Sequence, residues 1–544
     1  MSKIFRWLTP SRTAAALFVI WCIAGAALFR DYAVSWDEPA ERGSGICSEA
    51  VLREHISGRK VPCRYYEIWQ GDRFYGLIFQ HILLAAEKVY TGGEIDYNRY
   101  ASCNIWYLRH FINFFAVTVG LAALYFSAKM VKAPGGNCFY PVLTVAGFML
   151  MPRFFAESFY NVKDMILLAG FMLAGYTLFN MMKKRSVSSI AVFALMAAFV
   201  SAIRLQGAVF FMIGLVSILT WLKQSPIRRV GLAGFFGVVF VFFLILFYPV
   251  SWENPVQFFV DAVKYMSSHP WRGHILFMGK RIISTGMPWY YIAVWMAVTV
   301  PIPLLLLGLG GTFCSGKMLA KKCTSFKKVI LLLRGENDAA FQFQTRFILI
   351  SLFWGGLFFF SFFSKVFYNS WRHYYFLAWP LLFLIADGAC YVWHKIEHDK
   401  ILRRTLAAVS LCFVVYIAAW NVNAHPYQNC YFNILAGNPN GKFETDYWRL
   451  SNLEAFRKIA GYSKANGRVS SIRLSLTCSN ALVMLPESDR RYIRMLNPEE
   501  KFEFYVWYDR PVDKDIRQDM VFEERYCPDL FGQDVLLYTT LKLR

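Results

Sequence analysis

The chain has no glycine-rich phosphate loop, so the usual backbone cradle for a nucleotide is missing. It has no paired cysteine and histidine spacing of the zinc type, which leaves its 12 cysteines as packing residues or bridges. No internal repeat is visible, and this removes the repeated halves on which many transporters are built. Acids are scarce: 36 Asp and Glu stand against 58 Lys and Arg, a formal net charge of +22. The positive residues are spread over short segments and do not form one basic face interleaved with aromatics, so nucleic acid is not the partner they describe.

Apolar residues are what the chain has in excess, 56% of its 544 residues, with 18% aromatic. That is beyond an ordinary soluble domain. Apolar windows recur at 13–29, 111–130, 138–152, 164–182, 190–203, 207–222, 231–249, 290–312, 347–363, 374–392 and 405–421, and the pattern predicts about eleven transmembrane helices. The first window lacks a small-residue cleavage site and another span follows it, so it is expected to be an uncleaved anchor with a cytoplasmic N-terminus. Alternate loops then carry the basic residues, among them Lys129, Lys183 to Arg185, Arg228 with Arg229, Lys317 to Arg334 and Lys395 to Arg404. An odd span count places everything after Asn421 outside. The expected organisation is a membrane domain over 1–424, whose outer loop 30–108 carries an acidic motif, and a small extracytoplasmic α/β domain over 425–544. The expected location is a bacterial inner, or plasma, membrane.

On the outer side, Cys47 with Cys63 is the stronger disulfide candidate and Cys478 with Cys527 the weaker. Leu77, Ile78, His81, Ile82, Leu84 and Ala85 give a helical apolar stripe within 74–90, expected to lie along the headgroups; a true transmembrane helix is the alternative reading. Residues 255–268 of a later outer loop are amphipathic in the same way. In the tail, Ser451 to Glu454 has capping-box spacing before a helix to about Ser463. Strands are expected at 469–476, 502–508, 520–525 and 535–543.

Four outer clusters carry possible chemistry. Asp37 and Glu38 follow the first span between Trp36 and Pro39, where a carboxylate can act as a base at the edge of a low-dielectric wall. Within 152–164, Arg153, Glu157, Asn161, Lys163 and Asp164 share one short polar stretch. Its cations suit a phosphate, and its acids can orient them or bind a divalent ion. Arg204 lies in the turn between two spans and requires an anionic partner or a route to the headgroups. Arg372 and His373 sit in an aromatic belt before the tenth span and suit phosphate. Each cluster also has a plainer reading as helix capping or an interfacial anchor.

The acidic pair, the 152–164 run, the Arg-His-Tyr-Tyr step at 372–375 leading to Pro380, and the segment 425–433 followed by Glu444, Thr445, Asp446, Tyr447 and Trp448 together resemble bacterial glycosyltransferases of the C superfamily. These are similar to protein O-mannosyltransferases and the lipid A aminoarabinose transferase. The resemblance implies a multi-span enzyme that moves a sugar, with inversion, from a polyprenyl-phosphate carrier to a hydroxyl of a lipid, glycan or protein on the outer face. It maps the family's catalytic acid to Asp37, with Glu38 as neighbour. It names no certain cofactor and leaves a divalent metal ion open. A polytopic transporter or flippase is the competing reading; it would place ionisable groups at the bilayer midplane, whereas here they gather at span ends.

Overall fold

The computed structural model describes residues 9–542 apart from 59–62, 64–70, 94, 96–100, 132, 134–135, 222–223, 268–271, 365, 475–478, 497–501, 508–520 and 529–533. All eleven apolar windows fall on helices. Among the described residues eight helices are long and apolar enough to cross a membrane, and the pair Tyr140–Met149 and Pro152–Tyr160, bent by 70°, makes a ninth if counted as one span. The shorter apolar helices Val187–Ile203 and Leu205–Trp221 account for the remaining windows at 190–203 and 207–222. The molecule is an integral membrane protein.

Burial sorts the helices into a centre and a rim. The helices Asp164–Lys184 and Arg372–Ile396 are 83% and 78% buried, whereas Pro10–Leu28, Pro226–Leu246 and Lys400–Asn423 are 17%, 17% and 11% buried and present their apolar faces to lipid. Close contact in the centre depends on missing side chains. A Cβ at Gly311 would collide with the Leu384 carbonyl, and one at Gly388 with that of Leu307, so these two helices meet backbone to backbone.

Two interruptions are built, not accidental. Pro301 separates Tyr291–Thr299 from Ile302–Lys322 and cannot donate to the Ala297 carbonyl four residues back. Asn433 fills the gap: its Nδ2 donates to the carbonyls of Ala297 and Val300, 2.7 Å each. The second is the bend at Leu150 and Met151, which turns Pro152–Tyr160 so that its residues lie buried beneath the polar end of the bundle.

The loop after the first span departs from expectation in one respect. The helix Ile78–Thr91 is present, and at 14 residues it is too short to span. Its polar face, however, is turned inward: Glu87 meets Arg42 and Arg109 at 2.6 Å each, and Gln80 also accepts from Arg109. Phe79, Leu83 and Leu84 are buried with them, while Ile82, Ala85, Val89, Tyr90 and Thr91 are exposed. The physical reason is the pair of buried arginines, which need a carboxylate more than the membrane surface needs an apolar stripe. Helix Pro255–Ser267 keeps the expected arrangement, with Val256, Val260 and Val263 exposed and Phe258 and Ala262 buried. A hairpin, His274–Phe277 paired with Lys280–Ile283, follows it; no alternation in the sequence had pointed to it.

Cys47 and Cys63 are disulfide-bonded. Cys478 lies outside the described residues, and Cys527 is buried with its thiol 4.0 Å from the carbonyls of Ala424 and Tyr427. Beyond Asn423 the chain first runs across the end of the bundle through 3-10 turns. It then forms the helix Asn452–Ala465 and a five-stranded mixed sheet, Ile493–Met495, Ser470–Leu474, Phe504–Trp507, Val535–Lys542 and Val521–Cys527 in spatial order. The first three strands are parallel and the last two antiparallel to their neighbours.

Removing Glu87 takes the shared carboxylate from two buried guanidinium groups, so Glu87→Ala is expected to destabilise the fold by about 3–5 kcal/mol. Thermal unfolding of the purified protein in detergent measures this; a midpoint equal to wild type would mean that the cluster contributes nothing.

Candidate active site

The residues that gather at the polar end of the bundle come from every second connection between spans: after Leu28, after Tyr160, after Ile203, after Leu246, after Phe363 and after Asn423. These connections lie on one side of the bundle, where alternation through the eleven apolar windows would place them. There they enclose a cavity of about 580 Å³ lined by Asp37, Glu41, Asp72, Lys163, Arg204 and Arg372 together with Tyr75, Tyr368, His373, Glu444, Tyr447 and Arg449.

Asp37 is the residue before the helix Glu38–Ser57, whose first turn contains Pro39. The approach to it is fixed from the C-terminal part: Trp36 N donates to Trp448 O at 3.0 Å, and Asn480 Nδ2 donates to the carbonyls of Ser35 and Trp36. Asp37 Oδ2 accepts from Arg372 Nη1 at 2.7 Å. Glu41, one turn further along the same helix face, pairs with Lys163 at 2.5 Å, and Lys163 lies 3.7 Å from the centre of the Tyr75 ring.

Arg372 is the centre of the polar network. Besides Asp37 it reaches Asp164 Oδ2 at 3.3 Å and donates to the Tyr447 hydroxyl at 2.8 Å, with the rings of Tyr447 and Trp448 4.7 and 4.8 Å from its guanidinium carbon. Asp164 opens the helix Asp164–Lys184; its backbone N–H donates to Asn161 Oδ1 at 2.9 Å, and its Oδ1 contacts Arg204 Nη1 at 2.7 Å. Two arginines and two carboxylates therefore alternate along one line, Asp37, Arg372, Asp164, Arg204.

Of the residues singled out in the sequence, Asp37, Lys163, Arg204, Arg372 and His373 line the cavity, and Asp164 stands directly behind it. Glu38 does not line it. It is fully buried, accepting from Ser35 N at 2.7 Å and facing His110 Nε2 at 2.9 Å, so it locks the turn that presents Asp37. Arg153 is also turned away, donating to Tyr431 O at 3.0 Å over the Phe432 ring. Glu157 accepts from Asn161 Nδ2 and the Tyr375 hydroxyl at 2.7 and 2.8 Å, which makes Glu157 and Asn161 supports of the Asp164 helix start. The bend at Pro152 explains the division: it buries one side of the 152–164 run and leaves only its end at the cavity.

Sequence reasoning missed Glu41, Asp72, Tyr75 and Arg449. Glu41 had a signal, its four-residue spacing from Asp37. Asp72 had none, since the short segment around it carries no apolar periodicity. Glu444 and Tyr447 had been noticed only within the family resemblance. Ser370 and Arg449, both at φ 59°, hold left-handed backbone beside the cavity, a local strain of about 1 kcal/mol each that fixes the loops bearing Arg372 and Tyr447.

A second cavity, about 370 Å³, adjoins the first. Tyr75, Arg204, Tyr368 and His373 belong to both walls, and the remainder of the second is largely apolar: Phe74, Leu205, Met266, Phe359, Phe360 and Phe363 among others. Phe359 and Phe363 are also exposed at the bundle's flank. Among the described residues no three His, Cys, Asp or Glu side chains gather as metal ligands. The acids nearest Asp37 are already held by Arg372, Arg204 and Lys163.

No family model and no curated protein matches the chain. Similar solved structures include the oligosaccharyltransferase AglB from Archaeoglobus fulgidus in complex with an inhibitory peptide and a dolichol-phosphate, with TM-score 0.45, 11% identity and coverage of 88% of this chain and 64% of that one. Another is ArnT from Cupriavidus metallidurans bound to undecaprenyl phosphate, with TM-score 0.45, 13% identity and 97% of each chain covered. The chain thus spans 64% of the length of the oligosaccharyltransferase.

Burial, reinforced by Glu41 and Asp37 and opposed by Lys163 and a Ser44 hydrogen bond, pushes the Asp72 carboxyl from 3.8 up to about 6. The folded state therefore binds this proton more tightly than the unfolded chain. The stability it contributes is fully present below 3.8 and is lost as pH rises through about 6. Asp72→Asn should flatten the fall in thermal midpoint across that interval; parallel wild-type and variant curves would contradict the assignment.

Proposed function

We propose that the protein is a glycosyltransferase that moves a sugar from a polyprenyl-phosphate carrier to an acceptor hydroxyl on the extracytoplasmic face. One observation carries the reading: a polar cavity holding Asp37 shares the wall of Arg204, Tyr75, Tyr368 and His373 with an apolar cavity that opens towards Phe359 and Phe363. A lipid-linked phosphate needs this junction, an apolar channel ending at a cation. A soluble phosphorylated substrate needs only the cation.

In the reaction, Asp37 takes the acceptor's hydroxyl proton, and the acceptor oxygen forms a bond to the anomeric carbon. The bond between that carbon and the phosphate oxygen breaks, and its electron pair stays on the phosphate, which leaves as the polyprenyl monoester. Attack from the side opposite the phosphate inverts the anomeric centre. Arg372 occupies Asp37 Oδ2 and holds the carboxylate in place, while the second oxygen makes no hydrogen bond to the described residues. Arg204 and Lys163 meet the charge that grows on the leaving phosphate, where a low dielectric strengthens them.

The sidedness rests on charge. The ends opposite the cavity carry Lys183, Lys184, Arg185, Lys321, Lys322, Arg403 and Arg404, the pattern of a cytoplasmic face. The Cys47–Cys63 disulfide is on the cavity side, as an oxidising compartment requires. On this reading the N-terminus is inside and the C-terminal α/β part outside, and we propose a bacterial plasma membrane as the location.

Membrane preparations supplied with a radiolabelled polyprenyl-phosphate sugar test the reading. Asp37→Asn should keep its folded yield and lose transfer by at least about 100-fold, the share of a positioned general base. Arg204→Gln should lower transfer and also weaken donor binding. Full transfer by Asp37→Asn would remove that residue from the mechanism, and movement of the labelled lipid across the bilayer with no glycosylated product would favour a flippase.

A further inference from the structure

We infer that a crevice lined by Arg30 and Arg457 is a second anion site, which takes the headgroup phosphate of an anionic phospholipid and clamps the C-terminal part to the membrane surface. The crevice has a volume of about 350 Å³ and is also lined by Asp31, Ala33, His425, Pro426, Tyr427, Leu450, Leu453 and Glu454. It is separate from the cavity around Asp37, with which it shares no lining residue.

Its height is set by the helices that end there. Arg30 follows the span Pro10–Leu28, His425 follows the span Lys400–Asn423, and the Tyr107 ring beneath Arg30 belongs to the first turns of Cys103–Met130. Three spans leave the bilayer at this point, so the crevice lies at the level of the headgroups. Two of those spans are the lipid-facing ones at the rim, 17% and 11% buried. A phosphate seated in the crevice leaves its acyl chains against their outer surfaces.

Its charge is set by which groups are already paired. Asp31 faces His425 Nε2 at 2.9 Å, and Glu454 is taken by Arg525 at 2.8 Å, Lys458 at 3.4 Å and the Tyr427 hydroxyl at 2.8 Å. Arg30 lies over the rings of Phe29 and Tyr107 at 5.3 and 5.9 Å. Neither Arg30 nor Arg457 makes an ion pair with any described residue. Two guanidinium groups line one crevice whose acids already have partners in His425, Tyr427, Lys458 and Arg525, and a phosphate is an acceptor suited to such guanidinium forks. Arg457 is on the helix Asn452–Ala465, so such a ligand would join the sheet-bearing part to the first span.

Native mass spectrometry of the full chain, released from detergent micelles doped with phosphatidylglycerol or with phosphatidylcholine, provides the test. One phosphatidylglycerol should be retained in preference to phosphatidylcholine. Arg30→Gln and Arg457→Gln should each weaken retention by about tenfold, the value of one charge-assisted hydrogen bond, while Arg491→Gln, on the exposed surface, should not. Titration with inorganic phosphate alone separates the sources. Competition that requires the same arginines supports the phosphate site, whereas inorganic phosphate binding with no preference for phosphatidylglycerol overturns the lipid assignment. Equal retention by wild type and a double variant of wild-type thermal midpoint overturns the site itself. Because the readout is a bound lipid, the result stands whichever way the sugar-transfer assay falls.

Discussion

Arg372 is the constraint on which the polar end of this molecule depends. Left alone between apolar helices, a guanidinium would cost several kcal/mol, and it is tolerated because carboxylates from two different connections, Asp37 and Asp164, share it. Those carboxylates come from chain positions 37 and 164, and the aromatic faces that close over the arginine come from Tyr447 and Trp448. The outer loop, the start of the helix Asp164–Lys184 and the C-terminal part are therefore tied by one side chain. A change at any of the three alters the others, so the cavity is a product of the whole fold and not of one loop.

The Glu444–Trp448 stretch shows how closely this tie is made. Glu444 lines the cavity and accepts from Asn369 at 2.5 Å, while Thr445 donates to the Leu536 carbonyl of the sheet at 2.6 Å. Asp446 accepts from Ser451 N and Oγ at 2.9 and 2.6 Å, fixing the start of the following helix. Tyr447 and Trp448 then reach back to Arg372. Successive residues serve the cavity, the sheet, the helix and the arginine in turn, which is why a short polar segment can couple the bundle to the α/β part.

The spans were legible because each apolar window satisfies a length and hydropathy condition that lipid imposes locally, and all eleven fell on helices. Asp37, Lys163, Arg204 and Arg372 were legible for the opposite reason, as charges at the ends of apolar runs where they are costly without a task. What the sequence hid was set by tertiary geometry. Arg153 and Glu157 have the same local character as Lys163, and only the 70° bend decides that they are buried away from the cavity. The inward-facing Glu87 was unreadable for a similar reason: its apolar stripe is genuine, but two distant arginines determine which side faces the protein. Asp72 combined both problems, a residue in a short segment without apolar periodicity whose neighbours come from elsewhere in the chain.

The charge balance of the cavity gives the arrangement its direction. Its lining acids are Asp37, Glu41, Asp72 and Glu444, and its lining bases are Lys163, Arg204, Arg372 and Arg449, so the fully ionised walls are close to neutral. A phosphate entering beside Arg204 adds negative charge to this balance, and a group must respond. Asp37 and Glu41 are already paired with cations, Arg372 and Lys163. Asp72 is pushed to about 6 by burial, and a nearby anion raises a carboxyl's proton affinity further. Under the proposed reaction, an anion bound beside Arg204 would favour proton uptake at Asp72, a carboxyl distinct from Asp37.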